Sequence, residues 1–133
     1  MARKEVFRGL EEGQVKGMSV EEFLPLLTSR ERRTLKRVNQ HPAYKKLIDK
    51  VRKLAKEGKL GKPIKTQVRD AVILPEWLGL HFAIHNGKEY KQVQITINAI
   101  GKRLGELSHS TYRVLHSGPG VGATRGSKFV PLK

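Results

Sequence analysis

The sequence predicts an α+β protein: a small antiparallel three-stranded sheet with an Asn-Gly hairpin, packed by helices, with an N-terminal helical extension and an extended basic C-terminal tail. Three observations carry that reading. Asn86-Gly87 sits between two strand-like segments, and a two-residue turn of the favoured hand needs positive φ, which Asn tolerates and Gly accepts freely. Tyr44, Leu47, Ile48, Val51, Leu54 and Ala55 recur at helical spacing. From Tyr112 onward four glycines and two prolines appear, with no acidic residue and no amphipathic period.

At 133 residues the chain suits one domain with tails, divided here as a helical extension over 1–40, a globular core over 41–111 and a tail over 112–133. Residues 1–18 read as irregular, with Gly9, Gly13 and Gly17 spaced along them. Ser19 and Glu22 then form a capping box opening a short helix whose apolar side is Phe23, Leu24 and Leu27, with Pro25 limiting its length. Thr28 and Glu31 form a second such match, ahead of an intensely basic segment: Arg30, Arg32, Arg33, Lys36 and Arg37. A solvated helix face usually mixes signs at i,i+4, and here Glu31 stands almost alone, which favours nucleic-acid contact.

Pro42 suits the first turn of the next helix, and Gly58 its stop. The outer face of that helix holds Lys45, Lys46, Lys50, Arg52, Lys53 and Lys56. Between Arg30 and Lys62 there are 13 basic residues and 3 acidic ones. Residues 58–67 have loop composition, with Lys65 a candidate RNA contact, and lead into a first strand drawn from Val68, Ala71, Val72, Ile73 and Leu74.

In the hairpin, pairing His85 with Lys88 puts Leu78, Leu80, Phe82, Ile84, Val93 and Ile95 on one side. His81, Ala83, His85, Lys88, Tyr90, Gln92 and Gln94 take the other. That polar side is either a solvated sheet face or one that meets a polyanion. Thr96 is placed to cap a short helix with Ile97, Ile100, Leu104 and Leu107 inward, which Gly101 and Gly105 weaken. Arg113, His116, Arg125 and Lys128 are spread along the tail, which reads either as a disordered segment or, better, as one that orders on RNA.

Lys+Arg total 27 against 12 Asp+Glu, a net charge of +15, which implies a polyanionic partner. Nucleic acid leads, with an anionic membrane surface behind it. There is no cysteine, hence no disulfide or thiolate metal site, and no apolar run of transmembrane length. The N-terminal residues lack the apolar centre of a signal peptide, so a cytoplasmic protein is the expectation. The tail glycines lack dinucleotide-binding spacing, Gly87-Lys88 is followed by Glu89 rather than a hydroxyl residue, and no serine elbow occurs. His81 and His85 have no third ligand in sight, so no metal and no cofactor are expected, nor an enzyme.

The segments RDAVILPEWLGLHFAIHNGKEYKQVQIT, IGKRLGELSHST and GVGATRGSKFVPLK resemble the universal small-subunit ribosomal protein nineteen family, in its archaeal and eukaryotic branch. The matching positions are Asn86, Gly87, Lys88, Ile95, Ile100, Gly101, Leu104, Gly105, Glu106 and Ser110; Leu107 stands where the family usually has an aromatic. FRGL at 7–10, SVEEF at 19–23 and RERRTLKR at 30–37 match that branch's longer N-terminus. The resemblance implies a structural, non-catalytic constituent of the small-subunit head that binds small-subunit rRNA. It lies beside ribosomal protein thirteen and near the bridge to the large subunit, and its tail runs toward the decoding region and tRNA. Carried over, Arg69, the His85-Asn86-Gly87-Lys88 turn and Lys102-Arg103 beside Gly101 are rRNA contacts, while Arg113, Arg125 and Lys128 belong to the tail. Two other readings fit the charge: a free-standing DNA- or chromatin-binding protein, and a subunit of an RNA-modifying enzyme.

Overall fold

A computed structural model describes residues 5–111. Four α-helices come first: α1 (Glu12–Lys16), α2 (Val20–Phe23), α3 (Ser29–Lys36) and α4 (Pro42–Lys56). Three strands follow, β1 (Ile64–Thr66), β2 (His81–His85) and β3 (Tyr90–Gln94), in the spatial order β1-β2-β3.

The N-terminal stretch read as irregular contains α1, which buries Val15 completely. The Ser19 box forms as expected, since the Ser19 hydroxyl accepts from Glu22 N–H at 3.3 Å and Glu22 Oε2 accepts from Ser19 N–H at 3.0 Å. The Thr28 box does not form. Thr28 makes no side-chain cap, and Glu31 is buried facing Arg103 at 3.7 Å. Helix α4 starts at Pro42, buries Tyr44, Leu47, Ile48 and Val51, and stops before Gly58 at φ +66°. Ala55, assigned to that buried stripe, is exposed in the last turn.

The expected antiparallel three-stranded sheet is mixed instead. β2 and β3 are antiparallel, whereas β1 runs parallel to β2 with Ile64 beside Phe82 and Thr66 beside Ile84. The run Val68–Leu74 is not a sheet strand. Residues 71–74 are buried and extended, but their backbone pairs with 101–105: Ile73 N–H donates to Lys102 O at 2.8 Å and Leu104 N–H to Ala71 O at 3.0 Å. A run buried on every side and ending at Pro75 suits this better than an edge strand with one wet face.

The hairpin register differs from the expected one by two residues. His85 pairs with Tyr90 and Phe82 with Val93, so the connection is four residues long, closed by Asn86 N–H donating to Glu89 O at 3.0 Å. Asn86 keeps negative φ, and its Oδ1 accepts from Lys88 N–H and Glu89 N–H, each at 2.9 Å, an Asx turn; Gly87 alone takes φ +105°. Because the slip is even, every side chain keeps its face. Phe82, Ile84 and Ile95 are buried, and His81, Tyr90, Gln92 and Gln94 are exposed. The helix expected after Thr96 is two short 3-10 turns, Ile97–Ala99 and Leu104–Leu107, parted by Gly101 at φ +77°. Trp77, Phe23, Phe82, Ile73 and Leu104 centre one core that also takes in Val15, Leu27 and Leu35 from the N-terminal helices.

Candidate nucleic-acid interface

Helices α3 and α4 bury their apolar stripes and thereby turn their cations outward. Arg30, Arg33, Lys36 and Arg37 at α3, and Lys45, Lys46 and Lys53 on α4, are all exposed. Nearby acids neutralise little of this: Arg52 is held by Glu76 through two hydrogen bonds of 3.2 and 3.0 Å, which raises its already high pKa. Four of the expected contacts come together on the open face of the sheet. Lys65 lies beside Ala83 in the parallel register, on the face of His81, His85 and Tyr90. The Tyr90 ring meets the His85 ring edge-on at 4.9 Å, Lys65 Nζ stands 5.7 Å from its centroid, and Tyr90 stays 39% exposed.

Gln67 was not singled out in the sequence, yet its Nε2 donates to the Tyr90 hydroxyl at 3.2 Å. Only knowledge of the parallel β1 pairing would have found it. At the hairpin tip Gly87 and Lys88 are exposed, Asn86 is half-buried by its own turn, and His85 Nδ1 accepts from Gly87 N–H at 3.2 Å. Lys102 is exposed one residue beyond Gly101.

Three arginines and Gly101 of the contact set, and Gly105 beside them, have internal duties. Arg32 donates to the carbonyls of Leu24, Pro25 and Leu27 at 3.0–3.2 Å, capping the turn that precedes its own helix. Arg69 donates to the carbonyls of His85, Gly105 and Ser108. Arg103 donates to Thr34 Oγ1 at 3.0 Å and pairs with Glu31 and Asp70 at 3.7 and 3.6 Å. Gly101 lies where a Cβ would come within 2.9 Å of Leu27 Cδ2, and Gly105 where one would come within 3.1 Å of Arg69. The close approach those glycines permit is therefore made within the chain. Arg113, His116, Arg125 and Lys128 lie outside the described residues. Among the described residues no group of three or more His, Asp or Glu is placed to hold a metal, and no helix is long and apolar enough to cross a membrane.

A family profile described as Ribosomal protein S19 matches residues 33–116. The chain belongs to the ribosomal protein S19 family. It is 46% identical over 127 residues to the small ribosomal subunit protein uS19 of Saccharolobus solfataricus, covering 96% of this chain and 90% of that one. To the small ribosomal subunit protein uS19 of Methanococcus aeolicus it is 42% identical over 130 residues, covering 96% of this chain and 80% of the other. The S19 family is structural rather than catalytic, and its match spans α4, the whole sheet and the Gly101–Gly105 segment, the parts that carry the open sheet face and the hairpin tip.

Proposed function

We propose that this protein is a structural constituent of the small ribosomal subunit head, at work in the cytoplasmic ribosome, binding small-subunit rRNA through three surfaces. These are the cationic faces of α3 and α4 (Arg30, Arg33, Lys36, Arg37, Lys45, Lys46 and Lys53) with Lys102, which shares a cleft with Thr28 just before α3, the hairpin tip with Lys88, and the open sheet face with Lys65, His81, His85 and Tyr90. Arg32, Arg69 and Arg103 serve that binding as braces. The observation that carries the reading is the outward segregation of exposed cations on a chain of net charge +15, in a family of ribosomal proteins.

The physical reason is direct. Each cation that replaces a phosphate counterion gains the entropy of that ion's release, so affinity falls as salt rises. Tyr90 and the histidines supply what charge does not: faces and edges for unpaired bases. The resemblance further supports ribosomal protein thirteen of the small subunit and the large-subunit bridge as neighbours, with Arg113, His116, Arg125 and Lys128 running toward tRNA.

Two measurements test it. In extracts the protein is expected to sediment with small subunits and to be released by RNase, not by DNase; release by DNase alone would favour a chromatin role. With protein-free small-subunit rRNA, Lys88→Ala is expected to lower the slope of log affinity against log salt by about one. An unchanged slope removes Lys88 from the contact set.

A further inference from the structure

Strand β1 ends early, and something else takes its place. Val68 N–H turns back to Thr66 Oγ1 at 3.1 Å, so no β1 residue reaches the end of β2. His85 pairs with Tyr90 at a position flanked by the hydrogen-bonded pairs Ile84–Lys91 and Asn86–Glu89, so its own carbonyl points away from β3, toward the vacated side. Arg69 Nη1 donates to that carbonyl at 2.7 Å, while its Nη2 donates to Gly105 O at 2.9 Å and Ser108 O at 2.5 Å. Gly105 N–H returns a bond to Arg69 O at 2.8 Å, so the two residues are locked reciprocally. A methyl at Gly105 would come within 3.1 Å of both Arg69 Cβ and Arg69 O, which explains a glycine here without positive φ.

The three carbonyls belong to the root of the hairpin, the Leu104–Leu107 turn and Ser108, a fully buried residue. Immediately beyond them a cleft of about 910 Å³ opens between the hairpin loop and residues 109–111. Lys88 and Lys91 line it on the hairpin side with Glu89, the one acidic residue of the lining, and His109, Ser110 and Thr111 line the other. One wall is the loop that starts after His85, and the other is the segment that starts after Ser108. Arg69 joins the two at their bases.

We infer that this cleft receives a phosphodiester of the bound RNA and that Arg69 is its positioning residue, holding the two walls in place relative to each other without itself supplying the neutralising charge. The inference rests on the rRNA-binding reading above. A guanidinium suits the task because its planar fork serves several carbonyls at once, which a lysine ammonium on a flexible stem does not reproduce.

The test is binding of the full chain to protein-free small-subunit rRNA across a salt series. Arg69→Gln and Arg69→Lys are both expected to weaken binding about tenfold, the scale of a lost charge-assisted hydrogen bond, with the salt slope unchanged. Gly105→Ala, which disturbs the same lock with no change of charge, is expected to do the same. Lys91→Ala, on the cleft wall, is expected to lower the slope by about one. A lowered slope in Arg69→Gln together with wild-type binding by Arg69→Lys would make Arg69 a phosphate contact and overturn the inference; so would unchanged affinity in both. One readout needs no variant: in the free wild-type protein the Arg69 Nη protons are expected as separate, slowly exchanging NMR signals, and rapid averaging would refute the lock. Wild-type protein that fails to bind takes down the rRNA reading and this inference together, whereas a charge-contact result for Arg69 takes down the inference alone.

Discussion

Tyr44 shows how a single polar atom is accommodated in this core. Its ring fills the buried stripe of α4 and its hydroxyl donates to Val72 O at 2.9 Å, across to the extended segment that pairs with 101–105. Burial pushes the phenol's pKa well above its ordinary value of 10.0, outweighing the opposing pull of the Arg103 charge. The folded state thus holds the neutral phenol more firmly than the unfolded chain does. That contribution is complete below the ordinary tyrosine range and is lost as pH rises above about 10. Unfolding free energy from urea titration is expected to fall over that alkaline window, and Tyr44→Phe to flatten the fall while costing about 1–2 kcal/mol at neutral pH, because the Val72 carbonyl loses its donor. An equal alkaline fall in the variant would refute the assignment. At this scale the sequence distinguishes lysines well and arginines poorly. Exposed Lys45, Lys46, Lys53, Lys65, Lys88 and Lys102 are where a count of charge puts them. Arg32, Arg69 and Arg103 are turned inward by carbonyls and carboxylates that only the folded chain assembles, since five planar donors satisfy backbone as readily as phosphate.

Two segments with the same capping text separate at the scale of the element. Ser19-x-x-Glu22 closes its box, whereas Thr28-x-x-Glu31 does not, because Glu31 is drawn into a buried pair with Arg103. Ser19→Ala is therefore expected to cost about 1 kcal/mol, and Thr28→Ala only a few tenths. Glu31→Ala, which leaves Arg103 half-buried without that partner, is expected to exceed both at about 2 kcal/mol or more. Equilibrium unfolding of the three variants ranks them, and an equal loss for Ser19 and Thr28 would contradict the geometry. The same contrast explains what was legible. Helix α4, the Ser19 cap and the faces of the hairpin follow from local period and turn chemistry, so they stand where the sequence puts them. The two-residue turn gave way to an Asx turn because the Asn86 side chain can hold two backbone N–H groups itself. Strand β1 was missed because a parallel partner sits outside its neighbourhood in sequence, and the apolar run at 71–74 drew the assignment to itself.

Taken whole, the molecule works against its own charge. Twelve acids stand against 27 lysines and arginines, and 5 of the acids fall within residues 5–22, away from the cationic faces of α3 and α4. Like charges crowded on those faces raise the free energy of the compact state and are relieved either by small ions or by RNA phosphates. The two kinds of relief respond oppositely to salt. Raising monovalent chloride from low ionic strength screens the self-repulsion, so the melting temperature of the free protein is expected to rise. The same change competes with phosphate contacts, so log affinity for small-subunit rRNA is expected to fall linearly against log salt, by about 0.7–0.9 for each phosphate neutralised. Circular dichroism melts and filter binding in one salt series measure both. Chloride is the anion to use, since sulfate or phosphate would mimic the RNA. A free protein whose melting temperature is flat or falling over the range in which rRNA binding weakens would mean that the exposed cations do not repel one another enough to matter. The surplus of +15 would then need an explanation other than a fold completed by its RNA.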